Sequence, residues 1–210
     1  MKNLKIETIG KIYSDHKGTA IGKYREYSVL VPFIEKDNEL FLLLEQRAGA
    51  LEDGPGEICF PGGRVESGET PEVAAIRETE EEIGIPREDI KILGEPDKLY
   101  TFKNSIIYAV IGTLEAESLE KLDASPAEVS EVFLAPFDFF MDNEPFVHTG
   151  RLEPDRSGFP YELAGIDESY PWDTGKSEVP VYKALPNGKI VWGLTANIIR
   201  HIVEVIKENA

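Results

Sequence analysis

The chain has 210 residues, 41% of them apolar and 29% charged, with 22 basic against 39 acidic side chains and a formal net charge of −17. That size suits one domain with a sizeable core, possible insertions included, and the acidic balance argues against electrostatic binding to nucleic acid or to anionic membranes. The single cysteine, Cys59, excludes an internal disulfide framework, no secretory leader pattern opens the chain, and no apolar run reaches membrane-spanning length.

Cytoplasmic residence is therefore the default expectation. A small anionic substrate stays compatible with the charge, because bound metal ions reverse the sign of a local site.

In chain order, Tyr24–Arg47 (YREYSVLVPFIEKDNELFLLLEQR) predicts two apolar strands around the turn pair Asp37-Asn38. Residues 48–57 read as loop, and Ile58–Gly63 (ICFPGG) as a short strand ending in a turn. A helix follows with its ends marked: Thr70 as N-cap, Pro71 in the first helical position, Gly84 as the C-terminal stop. Further strands are expected within 89–95, 104–114 and 128–137, the last leading into a short helix. Residues 141–178 are rich in Pro, Gly, Asp and aromatics without clear periodicity, which reads as a long irregular insertion. Val179–Leu194 resembles a hairpin around Pro186-Asn187-Gly188, with Trp192 assigned to the core. Ile198, Ile199, Ile202, Val203 and Ile206 give the closing helix an apolar face. Strands outnumber helices and do not alternate regularly with them, so an α+β mixed-sheet domain is expected over 1–210.

The predicted helix at 71–83 crowds four carboxylates, Glu78, Glu80, Glu81 and Glu82, into five residues. Like charges at helical spacing weaken a helix, so either solvent or bound cations must offset the cost. On a helical wheel Val73, Ile76 and Ile83 share the apolar side, Glu78, Glu81 and Glu82 lie roughly opposite, and Glu80 falls apart from them. Arg77 stands four residues before Glu81, in reach to pair with it. Hard oxygen ligands in this number suit Mg²⁺ or Mn²⁺, and the preceding glycines let a backbone carbonyl turn toward a metal. A solvated acidic face is the competing reading.

The spacing favours cations. Gly63, five residues, Glu69, seven residues, then Arg77-Glu78-Thr79-Glu80-Glu81-Glu82-Ile83-Gly84-Ile85 resembles the Nudix box, with every fixed identity at its required offset. The one departure is Thr79, where an aliphatic residue is usual. The resemblance implies a Nudix-type mixed sheet sandwiched between helices, and metal-dependent cleavage of a pyrophosphate linked to a nucleoside. By position it makes Glu78 and Glu82 principal metal ligands, with Glu81 a ligand directly or through water. It makes the carbonyl of Gly62 or Gly63 a further donor, Glu69 and Arg77 the holders of the loop and ligands, and Gly84 the structural stop. A general base often lies outside the box; Glu128 and Glu131 are the candidates, each with an exposed structural carboxylate as the competing reading. A homodimer is common in the family, although nothing in the sequence shows an interface.

The upstream segment LLLEQRAGALEDGPGEICFPGG resembles the additional signature of the coenzyme A pyrophosphatase branch. Leu43, Leu44, Arg47, Ala48, Gly56, Phe60, Pro61, Gly62 and Gly63 fall at matching places. Glu45 replaces the usual Thr and Glu52 a second Arg, which bears against contact with a 3′-phosphate. The resemblance implies hydrolysis of coenzyme A or its derivatives. The alternatives are another nucleoside diphosphate derivative, such as ADP-ribose or NADH, and a catalytically silent ligand sensor. Arg47, Arg64, Tyr100, Phe102 and Lys103 are the candidate contacts to such a small nucleotide substrate. His16, His148 and His201 show no ligand spacing, and Cys59 is expected to be buried.

Overall fold

The computed structural model describes residues 5–210. Strand β1 (Arg25–Lys36) is the spine of a mixed eight-stranded sheet. The Asp37-Asn38 turn, with φ of 52° and 68°, has the primed geometry that matches strand twist. It returns the chain into β2 (Glu39–Arg47), which pairs with β1 from Lys36↔Glu39 to Phe33↔Leu42. Beyond that point β3 (Ile58–Cys59) takes the place of β1 beside Glu45 and Gln46, while β8 (Val129–Pro136) lines the other edge of β2 from Phe41 to Arg47. The vacated edge of β1 is taken by β4 (Gly62–Arg64), registered Tyr27↔Arg64 to Val29↔Gly62. On its other edge β1 runs parallel to β7 (Ser105–Leu114), which also carries β5 (Ile90–Ile92) and β6 (Asp97–Thr101).

Period-2 alternation divides the strand side chains between two cores. Leu30, Ile34, Leu43, Val110 and Leu114 face helix α2 (Pro71–Ile83), meeting Ala75 and Ile83. Val31, Phe33, Leu42, Leu44 and Ala109 face helix α5 (Gly193–Asn209), meeting Ala196, Ile198, Ile199, Ile202 and Val203. The result is the expected α+β arrangement, a mixed sheet between helices. No helix among the described residues is long and apolar enough to cross a membrane.

Three expectations need correction. The 141–178 segment is not irregular throughout: after the short helix α3 (Phe137–Asp142), strands β9 (Phe146–Leu152) and β10 (Gly175–Val181) pair antiparallel along their whole length. The ladder was hidden because both faces are largely exposed, so no apolar alternation marks it. Its long loop holds a one-turn helix, α4 (Tyr161–Ala164), and edge-to-face contacts of Phe159 with Tyr161 and Trp172 at 4.9 and 4.7 Å. Trp192 is 46% exposed rather than core, because it sits at the N-cap of α5, after a single bridge to Val181. Cys59 is only half-buried, at the edge where β3 closes on β2. Two elements beyond those expected are β6 and the first helix, α1 (Ile6–Ser14), whose apolar Ile6, Ile9, Ile12 and Tyr13 are exposed.

Candidate active site

Helix α2 is fixed at both ends by the residues that mark it. Thr70 Oγ1 accepts from Val73 N, and Ser28 Oγ donates to the Pro71 carbonyl at 2.6 Å, tying the first turn to β1. Gly84 closes the helix in the left-handed region with φ 74°, and a Cβ there would stand 2.8 Å from Asp123 N.

The buried arc of α2 differs from the wheel prediction. It consists of Ala74, Ala75, Thr79, Glu82 and Ile83, while Val73 is 52% exposed. The helix lies with its alanine side on the sheet, since small side chains permit close approach. Thr79, at the usually aliphatic place, is fully buried and satisfied by donating to the Ala75 carbonyl at 2.7 Å. Glu82 therefore does not share an outer face with Glu78 and Glu81. It turns inward, where its Oε2 accepts from Gly62 N at 2.7 Å. Glu80 turns outward to Arg87.

Arg77 organises the outer carboxylates, using all five of its N–H donors. Nε and one terminal nitrogen bond both oxygens of Glu69 at 2.9 and 3.1 Å; that nitrogen also reaches the Arg64 carbonyl at 3.1 Å. The other terminal nitrogen bonds Glu78 at 2.8 Å and Glu81 at 3.0 Å. Glu69 Oε2 also accepts from Glu66 N, so the loop, the helix and β4 meet in one network. The hydrogen bonds from Arg77 hold the Glu69 carboxyl below the usual range. A Cβ on Gly63 would fall 2.4 Å from the Glu78 carboxyl carbon, so only glycine lets that carboxylate lie against the β4 backbone.

Beneath them lies an acidic pair. Glu45 is 1% exposed and Glu82 7%. Burial pushes the Glu82 carboxyl up to about 8, with Glu45 next among the causes. Burial likewise pushes Glu45 up to about 7, against the hydrogen bond from Cys59 Sγ at 3.4 Å. Burial and Glu45 raise the Cys59 thiol far above its ordinary value, which disfavours a thiolate nucleophile. In the sequence Glu45 stands out only as a departure from a signature. Its place two residues after the inward Leu43 is the signal for a buried carboxylate.

The remaining predicted residues divide. Glu128 is exposed, and its charge acts on both Glu45 and Glu82. Glu131 is paired with Lys189 at 2.7 Å. Arg47 donates from Nε to the Asp53 carbonyl and so braces the loop after β2. Arg64 is exposed on β4. Tyr100, Phe102 and Lys103 are exposed around the β6–β7 turn, with Tyr100 edge-on to Tyr24. Among the described residues no hydrogen bond or ion pair joins that turn to the carboxylates of α2. Cavities of about 320 and 300 Å³ flank α5, and their linings contain none of the predicted site residues.

The donor set suits a hard divalent cation: carboxylates gathered on one helix end, and a buried Glu45 Oε2 with no hydrogen-bond partner. Among the described residues no three acidic, His or Cys side chains already converge on one point. Arg77 holds Glu78 and Glu81, while Gly62 holds Glu82.

A NUDIX domain family model matches residues 24–151. The chain is 34% identical over 118 residues to a peroxisomal coenzyme A diphosphatase of Mus musculus, a match covering 55% of this chain and 49% of that protein. The chain thus spans about half the length of this relative. It is 30% identical over 186 residues to Nudix hydrolase 3 of Caenorhabditis elegans, covering 85% of this chain and 72% of that one. Among solved structures, a MutT/nudix family protein from Enterococcus faecalis superimposes with a TM-score of 0.51 at 17% identity, covering 98% of this chain and 71% of the other, a likeness of fold. The family match spans more than half of the chain and includes the whole Arg77-centred carboxylate network, and the chain belongs to the Nudix hydrolase family.

Proposed function

We propose that the chain is a divalent-metal-dependent diphosphatase that hydrolyses coenzyme A or its derivatives to 4′-phosphopantetheine and adenosine 3′,5′-bisphosphate. The observation that carries this reading is the pairing of an intact Nudix box with the Leu42–Gly63 segment that resembles the coenzyme A branch. The similarity to the mouse coenzyme A diphosphatase supports it. Nudix hydrolases use divalent metal ions, and Mg²⁺ or Mn²⁺ suits these oxygen donors. Glu78 and Glu82 are the proposed principal ligands, with Glu81 and the carbonyl of Gly62 or Gly63 completing the shell. Bound cations supply charge neutralisation at the diphosphate and a lowered pKa for the attacking water. The protein's own part is to hold the ligands. Arg77 and Glu69 fix Glu78 and Glu81, and the Gly62 amide aims Glu82. Glu128 is the proposed general base. Arg47, Arg64, Tyr100, Phe102 and Lys103 are proposed contacts for the substrate.

A second reading, a Nudix diphosphatase for ADP-ribose, NADH or a related compound, is favoured by one observation: Glu45 and Glu52 stand where the coenzyme A signature has Thr and Arg. A substrate panel with Mn²⁺, read by chromatography of the phosphate products, separates the two. Coenzyme A should be turned over best; a clear preference for ADP-ribose, NADH or dinucleoside polyphosphates would overturn the specificity.

A further inference from the structure

Glu45 has no task in the reading above, yet its environment is the least tolerant of an idle carboxylate. Alternation along β2 places it on the sheet face covered by α2: Leu43 points there, while Leu42 and Leu44 point toward α5. Its two neighbours in the sheet are Cys59 on β3 and Val132 on β8.

The same two segments that flank Glu45 also hold Glu82. Three residues past Cys59, the Gly62 amide binds the Glu82 carboxylate. Four residues before Val129, at the start of β8, Ser125 N donates to the Glu82 carbonyl at 2.8 Å. Glu45 and Glu82 thus occupy one buried space, walled by residues 59–62 on one side and 125–129 on the other.

Only one oxygen of Glu45 is accounted for. Oε1 accepts a weak bond from Cys59 Sγ at 3.4 Å, and Oε2 is buried with no partner. The nearby cations are committed elsewhere: Arg47 to the Asp53 carbonyl, Arg77 to Glu69, Glu78 and Glu81. A buried carboxylate oxygen without a donor is strongly unfavourable, and more so beside a second buried carboxylate. A divalent cation at the inner side of Glu82 would satisfy both at once.

We propose that Glu45 is an additional ligand for the divalent cation, reaching from β2 to the inner side of the carboxylate helix and sharing the ion with Glu82. This rests on the metal-dependent reading above. It makes the site deeper than the helix alone provides, and draws one ligand from the sheet.

The test is a Mn²⁺ titration without substrate, counting free ion by electron paramagnetic resonance, for the wild-type chain and its E45Q, E45D, E82Q and E204Q variants. Glu204 lies exposed on α5 and serves as the control. The wild-type chain and E204Q should bind Mn²⁺ alike. E45Q, which keeps the shape, should weaken binding tenfold or more, or remove one ion from the stoichiometry. E45D, which keeps the charge but withdraws it by one methylene, should also weaken it. Circular dichroism and a metal-free melting temperature no lower than wild type would show that E45Q is folded. If E82Q weakens binding while E45Q and E45D match the wild type within twofold, the proposal fails and Glu45 is only a structural acid. If the wild-type chain binds no Mn²⁺, the metal-dependent reading fails and this proposal with it.

Discussion

Gly63 and Glu78 are in such close contact that a Cβ on the glycine would meet the carboxyl carbon at 2.4 Å. The carboxylate cannot simply swing away, because Arg77 holds it at 2.8 Å. Gly63→Ala should therefore displace a proposed ligand while leaving the fold intact. A misplacement of this kind costs roughly 100-fold in turnover. The neighbouring glycine should behave differently. A Cβ on Gly62 would lie 2.3 Å from the Ser28 carbonyl and 2.6 Å from Val29 Cα, both backbone atoms. Gly62→Ala should destabilise the chain by about 1–3 kcal/mol or more. Paired measurements of kcat and Tm check both: G63A should lose kcat at nearly constant Tm, and G62A should lose Tm.

Arg77→Lys is the second prediction. A lysine carries the charge but offers three donors from one point, not a planar fork of five. It cannot bridge Glu69, Glu78, Glu81 and the Arg64 carbonyl together. Turnover should fall about 10–100-fold, the usual effect of loosening the partners that orient metal ligands, with KM little changed. Glu69→Gln should show the same pattern, weaker. A rise in KM with kcat unchanged would place Arg77 on the substrate instead.

Much of this network was legible in the sequence, because its parts are local. Thr70, Pro71 and Gly84 mark the ends of α2 through short-range backbone chemistry, and Arg77 and Glu81 lie one turn apart. What was not legible depends on the sheet. The rotation of α2, which buries Glu82 and exposes Val73, is set by how closely Ala74 and Ala75 approach the strands. Glu45 is brought under the helix by β2, and a pattern read for apolar strands passes over a single acid at an inward position. The β9–β10 ladder was missed for the opposite reason, since a strand pair exposed on both faces carries no apolar period.

The buried acids give the metal-free chain an unusual pH dependence. The Glu45 and Glu82 carboxyls are raised from 4.5 to about 7 and about 8. Between those limits the folded chain binds more protons than the unfolded one, so stability falls as pH rises. The contribution is fully present below about pH 4.5 and lost as pH climbs through 7 and 8. Glu69, Asp89 and Asp155 act the other way, because their partners lower them and their stabilisation fades in acid. Melting without metal should be highest near about pH 5. Between about pH 5 and 8.5 the metal-free Tm should fall steadily as the two acids are forced to ionise in their buried places. Mn²⁺ should raise Tm more at the higher pH, where the acids are ionised, and E82Q should flatten the slope. A metal-free Tm that climbs steadily to pH 8.5 would contradict the buried pair.

The last prediction separates the two candidate bases. Glu131 is engaged: Lys189 Nζ contacts it at 2.7 Å, also donates to Gln46 at 2.8 Å, and sits over the Phe133 ring. With Oε2 engaged by Lys189, Glu131 is poorly placed to take a proton from water, so Glu131→Gln should change kcat less than about threefold, far below the usual effect of losing a general base. Glu128 is held only through its backbone, its amide on the Ser125 carbonyl and its carbonyl on Ala48 N. Its side chain stands free of any ion pair among the described residues, and its negative charge is felt by Glu45 and Glu82. Glu128→Gln keeps those backbone bonds, so Tm should not move. A positioned general base contributes roughly 10²–10⁴-fold, and kcat should fall by that order. Measuring both variants at saturating Mn²⁺ and substrate decides the matter: if E131Q loses kcat and E128Q does not, the Lys189 pair is part of the chemistry and Glu128 is a surface carboxylate.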